Sequence, residues 1–224
     1  MTRISRRPPQ PPLPAAESGG AEGNERLTAM TGAVLLILLL AECYTVVRIG
    51  RLLTLHVFLG MLLLGPVCLK AGSVLYRFAR YYTGSAPYRR NGPPAPLLRV
   101  IGPVIMLLTG CVFGSGIMLA VAGPGNGPWL TVHRISFIAW AFFITIHVLA
   151  YVWRLPGLLA AEARGVSRPE GDRKGEPRAG ARRAMEALGG RGTRLALLIA
   201  SLLAGLVIAL LTVHLAGNWE QGFG

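Results

Sequence analysis

Acidic side chains are scarce in this chain of 224 residues. Ten Asp and Glu stand against 23 Lys and Arg, a formal charge of +13, and charged residues make up only 15% of the whole. Cysteine is scarcer still. Cys43, Cys68 and Cys111 all fall in apolar stretches, and no pair has the spacing of a metal site or a redox motif. They read as small packing residues and do not bear on compartment. No Gly-rich phosphate loop follows a strand, no nucleophile elbow is present and no carboxylates are paired. A soluble hydrolase or nucleotide enzyme therefore has no support. The alternating pattern of a membrane barrel strand is also missing, as is any internal repeat.

What the chain does have is apolar residues, 52% of the total, gathered into blocks with the charges between them. A helix needs about 20 mostly apolar residues to cross the hydrocarbon core. Five blocks meet that length: 27–47, 52–76, 97–122, 129–153 and 195–216. Backbone polar groups in lipid must be satisfied within the segment, so each block is expected to be a helix. The expected fold is an all-α integral membrane bundle of five transmembrane helices. Pro66 and Pro103 lie inside the second and third, and a kink is expected near each. The first block is expected to be a retained helix rather than a signal peptide, since no small-x-small site follows it. Glu42 directly before Cys43 also spoils the lipoprotein-like "LLAEC".

Basic residues give an orientation. Four Arg precede Leu27, five lie between Arg77 and Arg99, and ten Lys or Arg lie between Arg154 and Arg194. The other side has Arg48, Arg51 and Arg134. The positive-inside rule then places the N-terminus in the cytoplasm and the C-terminus outside a cell membrane. Residues 1–26, rich in Pro, Gly and charge, are expected to be a disordered cytoplasmic tail. Residues 154–194 form a basic cytoplasmic loop, with room for a short helix in "ARRAMEALGG". A short extracytoplasmic tail, 217–224, closes the chain. Basic loops beside membrane spans point to topology and anionic lipid rather than nucleic acid. "YRFARYYTGSAPYRR" mixes aromatics and Arg as an interfacial belt does.

The four histidines, His56, His133, His147 and His214, all fall in expected spans. An ionisable residue there raises a functional question, although an interhelical hydrogen bond is the plain alternative for any single one. Arrangement separates the two. In "HRISFIAWAFFITIH", fourteen steps separate His133 from His147, which puts them on one face, about 21 Å apart along the axis. One metal ion cannot touch both, whereas two stacked cofactors, one per leaflet, can. Haem iron takes axial histidines, and a helix bundle can hold it. The second and fourth helices run the same way, with His56 and His133 at similar depth. They form the best ligand pair. Fourteen residues after His56 stands Lys70, level with His147, where a second pair would need a histidine. Lys70 is not a common haem ligand. It is also read as a buried charge with a partner or as a snorkelling side chain.

"LTLHVFLGMLLLGPVCLK" and "HRISFIAWAFFITIH" on parallel helices resemble the haem-bearing helices of the membrane b-type cytochromes. That superfamily includes the bacterial nickel-hydrogenase cytochrome b subunits and their ferric-reductase-like relatives. The resemblance covers residues 27–153, a four-helix haem core, and leaves the fifth helix extra. It implies haem b, one-electron transfer, and an oxidoreductase for which this chain is the membrane subunit, with quinol or a redox protein as partner. One haem is expected at His56 and His133, with a second site at His147 and Lys70. The chain departs from the pattern at Lys70.

Other features have two readings each. Gly102, Gly110, Gly114 and Gly116, with Gly60 and Gly65, suit either a porphyrin face or close helix packing. Arg48, Arg51 and Arg134 suit haem propionates or snorkelling. His56, His133 and His214 on one side also suggest a zinc or copper ion. Trp140 reads as packing. Two other function classes stay open: a cofactor-free membrane scaffold or accessory subunit, and a small transporter using His56, Lys70 and Glu42.

Overall fold

The computed structural model describes residues 15–85, 88–89, 96–123, 127–164 and 177–220, and every regular element among them is a helix. The long helices are α1 (Ala15–Val47), α2 (Ile49–Tyr82), α3 (Pro96–Ala122) and α4 (Gly127–Tyr151). A 3-10 turn at Val152–Arg154 leads into a short α5 (Leu155–Arg164). α6 (Pro177–Thr212) follows, ending in a second 3-10 turn at Val213–Ala216 and the single-turn α7 (Gly217–Glu220). Five helices carry a segment long and apolar enough to cross a membrane. The chain is a helical multi-pass membrane protein.

The helices outrun the apolar blocks. α1 begins twelve residues before Leu27, and α6 eighteen before Leu195, so "ARRAMEALGG" is continuous with the fifth span. Hydropathy marks the membrane-crossing part of a helix only. Ala, Glu, Met and Arg sustain the helix beyond it. Part of the segment expected to be a disordered tail, 15–26, is therefore helical, and Asn24 Nδ2 donates to the Ser73 carbonyl across to α2 (3.1 Å). Residues 1–14, 165–176 and 221–224 of the expected tails and loop lie outside the described residues.

α1 and α2 form an antiparallel hairpin about Arg48 and Ile49. Arg48 (φ −115°, ψ 28°) and Leu52 (φ −121°, ψ 23°) both leave helical dihedrals and reverse the chain. α2 then runs through Pro66 without interruption, so its departure from helical dihedrals falls at Leu52 rather than at the proline. α3 likewise contains Pro103 as a helical residue. α3 ends on Gly123, whose φ of 74° and N–H bond to the Leu119 carbonyl (3.0 Å) make a left-handed cap.

α2 is the central element. It packs most closely on α6 and then on α1, while α3 pairs mainly with α4. The fifth span, outside the stretch that carries the cytochrome resemblance, is thus the main neighbour of α2. Their crossing is backbone on backbone. A Cβ on Gly65 would strike the Ser201 carbonyl oxygen and come within 2.9 Å of Gly205 N, and one on Gly205 would strike the Leu62 carbonyl oxygen. Pro66 lacks an N–H, so Leu62 loses its usual helical partner, and Gly205 covers that carbonyl. Toward the His56 end, Met61, Ala120 and Ala209 from three helices form a buried cluster. Trp219 Nε1 donates to the Leu119 carbonyl (3.0 Å) and ties the end of the fifth span to α3.

Candidate functional site

The α1–α2 hairpin folds about Ile49, so residues equally distant from it meet. Glu42 and His56 are each seven residues away, and Thr28 and Lys70 each twenty-one. Both pairs are in contact. His56 Nδ1 lies 2.9 Å from Glu42 Oε1 and 3.1 Å from Thr45 Oγ1. Thr45 in turn donates to the Glu42 backbone carbonyl (2.6 Å) and approaches Glu42 Oε2 (3.3 Å). Thr45 is fully buried. Gly60, one turn along α2, keeps space beside this carboxylate, since a Cβ there would stand 3.5 Å from Glu42 Oε1.

The α3–α4 hairpin supplies the facing residue by the same logic. His133 Nδ1 lies 3.1 Å from the Val112 backbone carbonyl and 3.1 Å from Ser115 Oγ. Ser115 is buried and donates to the Cys111 carbonyl (2.6 Å). A Cβ on Gly116 would sit 3.1 Å from His133 Cε1, so glycine makes room for the ring. Further along, Trp140 Nε1 donates to Thr109 Oγ1 (2.9 Å), a packing bond between the same two helices.

These bonds set the tautomers. A carbonyl oxygen can only accept, so His133 Nδ1 carries the proton. A carboxylate does the same for His56. A neutral ring held in this way keeps its lone pair on Nε2. The rings meet: their centroids are 6.3 Å apart at an interplanar angle of 79°. They do so although α2 and α4 scarcely touch.

No family model, curated protein or solved structure matches the chain. The functional reading therefore rests on the chain's own residues.

The spacing of the two rings is compatible with a pair of imidazole ligands to one metal ion. An imidazole nitrogen lies about 1.1 Å from its ring centre and a metal–imidazole bond is about 2.0–2.1 Å long, so rings on opposite sides of one ion have centroids about 6.3 Å apart. Each ring can turn about its own bond to the metal, so 79° between planes is compatible. Ligating histidines usually donate the other ring N–H to a carboxylate or backbone carbonyl, and Glu42 and Val112 provide one of each. By contrast, the described residues contain no grouping of three or more His, Cys, Asp or Glu side chains able to hold a metal ion, as the zinc or copper alternative with His214 would need. His214 is exposed in the 3-10 turn after α6.

Lys70 faces α1. Its Nζ donates to the Thr28 carbonyl (2.5 Å) and lies 3.0 Å from where a Cβ of Gly32 would be. Ser73 and Thr28 join hydroxyls beside it (3.0 Å). His147 packs on Tyr151 of its own helix, with centroids 4.9 Å apart, and lies within Coulombic range of Lys70. Arg48, Arg51 and Arg134 are exposed near the His56 and His133 end. Gly65 serves the α2–α6 crossing, while Gly102, Gly110 and Gly114 face open space.

Sequence reasoning grouped Glu42 with His56 only as part of a polar pathway, and missed Thr45 for His56, Ser115 and the Val112 carbonyl for His133, and Thr28 for Lys70. Mirror symmetry about each tight turn was the available signal.

Proposed function

We propose that the protein is a b-type cytochrome-like membrane electron carrier, with one haem b held between α2 and α4 by His56 and His133. The observation that carries this reading is the pair of adjoining imidazoles, each with Nδ1 engaged by its own hairpin, at a centroid separation of 6.3 Å. Bound haem would supply a one-electron Fe(III)/Fe(II) couple. Glu42, Thr45, Ser115 and the Val112 carbonyl orient the two ligands. Gly116 admits the His133 ring. Arg134, Arg48 and Arg51 offer guanidinium groups for the propionates at the same end.

One haem is proposed rather than two. The Lys70 amine is engaged by the Thr28 carbonyl, and a second haem at His147 would require Lys70 to leave it. The basic segments put the N-terminus in the cytoplasm and the haem near the extracytoplasmic side of a cell membrane. Quinol or a redox protein serves as donor or acceptor, which makes this chain the membrane subunit of an oxidoreductase.

The test is substitution of each ligand. His56→Ala and His133→Ala should each abolish the haem spectrum of purified protein, and His147→Ala should leave it in place. A double His56→Ala, His133→Ala variant that remains fully loaded with haem would overturn the reading.

A further inference from the structure

Glu42 is an acidic side chain inside a span, and membrane interiors tolerate such groups when they are partnered. Its partner is one of the two proposed ligands. The two histidines are held differently. His133 is oriented by a neutral carbonyl and a hydroxyl, both from α3. His56 is oriented by a carboxylate 2.9 Å from Nδ1, with Thr45 bracing both groups. Glu42 and His56 sit on adjoining helices of a hairpin reversed at Arg48, so their register is set by the turn. Gly60 leaves the carboxylate its space.

We propose that Glu42 is a positioning residue that also sets the redox potential of the site. This rests on the haem reading above. Glu42 holds His56 with its proton on Nδ1, so that Nε2 faces the iron. Its negative charge, passed through the imidazole, stabilises Fe(III) over Fe(II) and lowers the potential. Thr45 donates its one hydroxyl proton to the Glu42 backbone carbonyl, and its oxygen lies 3.1 Å from His56 Nδ1 and so can accept from the ring. The asymmetry follows: the α1–α2 side tunes the potential, and the α3–α4 side anchors the haem. Among the described residues the partners of His133 Nδ1 are an uncharged carbonyl and hydroxyl, so His133 serves as the electrostatically neutral ligand.

The experiment is a potentiometric titration of haem-loaded wild type, Glu42→Gln, Glu42→Asp and Thr109→Val, followed by absorbance, with a hemin titration of each haem-free protein. Glu42→Gln keeps the size and a hydrogen-bonding oxygen but removes the charge. It should retain haem and shift the Fe(II)/Fe(III) ratio at fixed potential at least tenfold toward Fe(II), a rise of about 59 mV for one electron. Thr109→Val, which removes only the packing bond from Trp140, should change the ratio less than twofold. Glu42→Asp, which restores the charge, should return the potential most of the way to that of wild type. Haem-loaded Glu42→Gln with an unchanged potential would overturn the proposal while leaving the haem site intact. A wild-type chain that takes up no hemin would overturn both together.

Discussion

A methyl group at Gly116 is the smallest change that reaches the histidine pair. It would stand 3.1 Å from His133 Cε1, tighter than ordinary contact, and His133 cannot retreat without leaving the Val112 carbonyl. Gly116→Ala should weaken hemin binding by about fivefold or more, given that overpacking costs about 1–3 kcal/mol. Hemin titration of haem-free protein measures this, and unchanged affinity would place the ring elsewhere. Thr109→Val tests a different bond. It removes the acceptor of Trp140 Nε1 and should cost about 1 kcal/mol of stability without altering the haem spectrum. Unfolding of the loaded protein in mixed micelles checks both halves of that statement. At this scale the sequence was partly legible. Spacing alone singled out His56 and His133, because a helix has a fixed rotation per residue. The partners Thr45 and Ser115, and the direct contact of Glu42 with His56, were not visible, because they depend on which residue sits at each turn. Apolar runs locate turns only to within a few positions, and one turn of error brings a different side chain opposite.

Two elements carry the assembly, the α1–α2 hairpin and the α2–α6 crossing. The crossing is the more vulnerable. Gly65 and Gly205 lie where neither helix has room for a side chain, against the Ser201 and Leu62 carbonyls. Gly205→Val should destabilise the fold by about 1–3 kcal/mol or more, since backbone must move rather than a flexible side chain. Gly102→Ala, which meets nothing within 4 Å, is the matched control and should be neutral. Detergent-induced unfolding, followed by helical circular dichroism, distinguishes them. The number of spans was legible from block length, whereas the full extent of α1 and α6 was not. Hydropathy falls silent where a helix leaves the apolar region, although residues such as Ala, Glu and Arg continue it. The close pairing of α2 with α6 was also hidden. Gly65 and Gly205 become a pair only once the antiparallel register is known, and only then does the carbonyl that Pro66 frees meet Gly205.

Across the whole molecule, the division into α1, α2 and α6 on one side and the α3–α4 hairpin on the other gives the site its form. Each half contributes one histidine with its own orienting partner, and the rings bridge helices that otherwise scarcely meet. Haem should therefore hold the halves together. Loaded protein is expected to resist unfolding more than haem-free protein by RT ln(1 + [L]/Kd), about 2.7 kcal/mol at a hundredfold excess over Kd. Equal resistance would mean that the halves do not depend on a shared ligand. The polarity of the basic segments sets the second expectation at this scale. Reporter fusions or cysteine labelling should find the 154–194 segment in the cytoplasm and the Gly127 end of α4 outside. The reverse arrangement would move the haem to the cytoplasmic leaflet. The most direct test of the account is haem per chain, from pyridine haemochrome and reduced-minus-oxidised spectra of protein produced with haem supply and purified in detergent. The account predicts about one haem b per chain, with the low-spin bands of two axial histidines. Well-folded protein that stays colourless after reconstitution would contradict it and leave a membrane scaffold whose histidines serve packing.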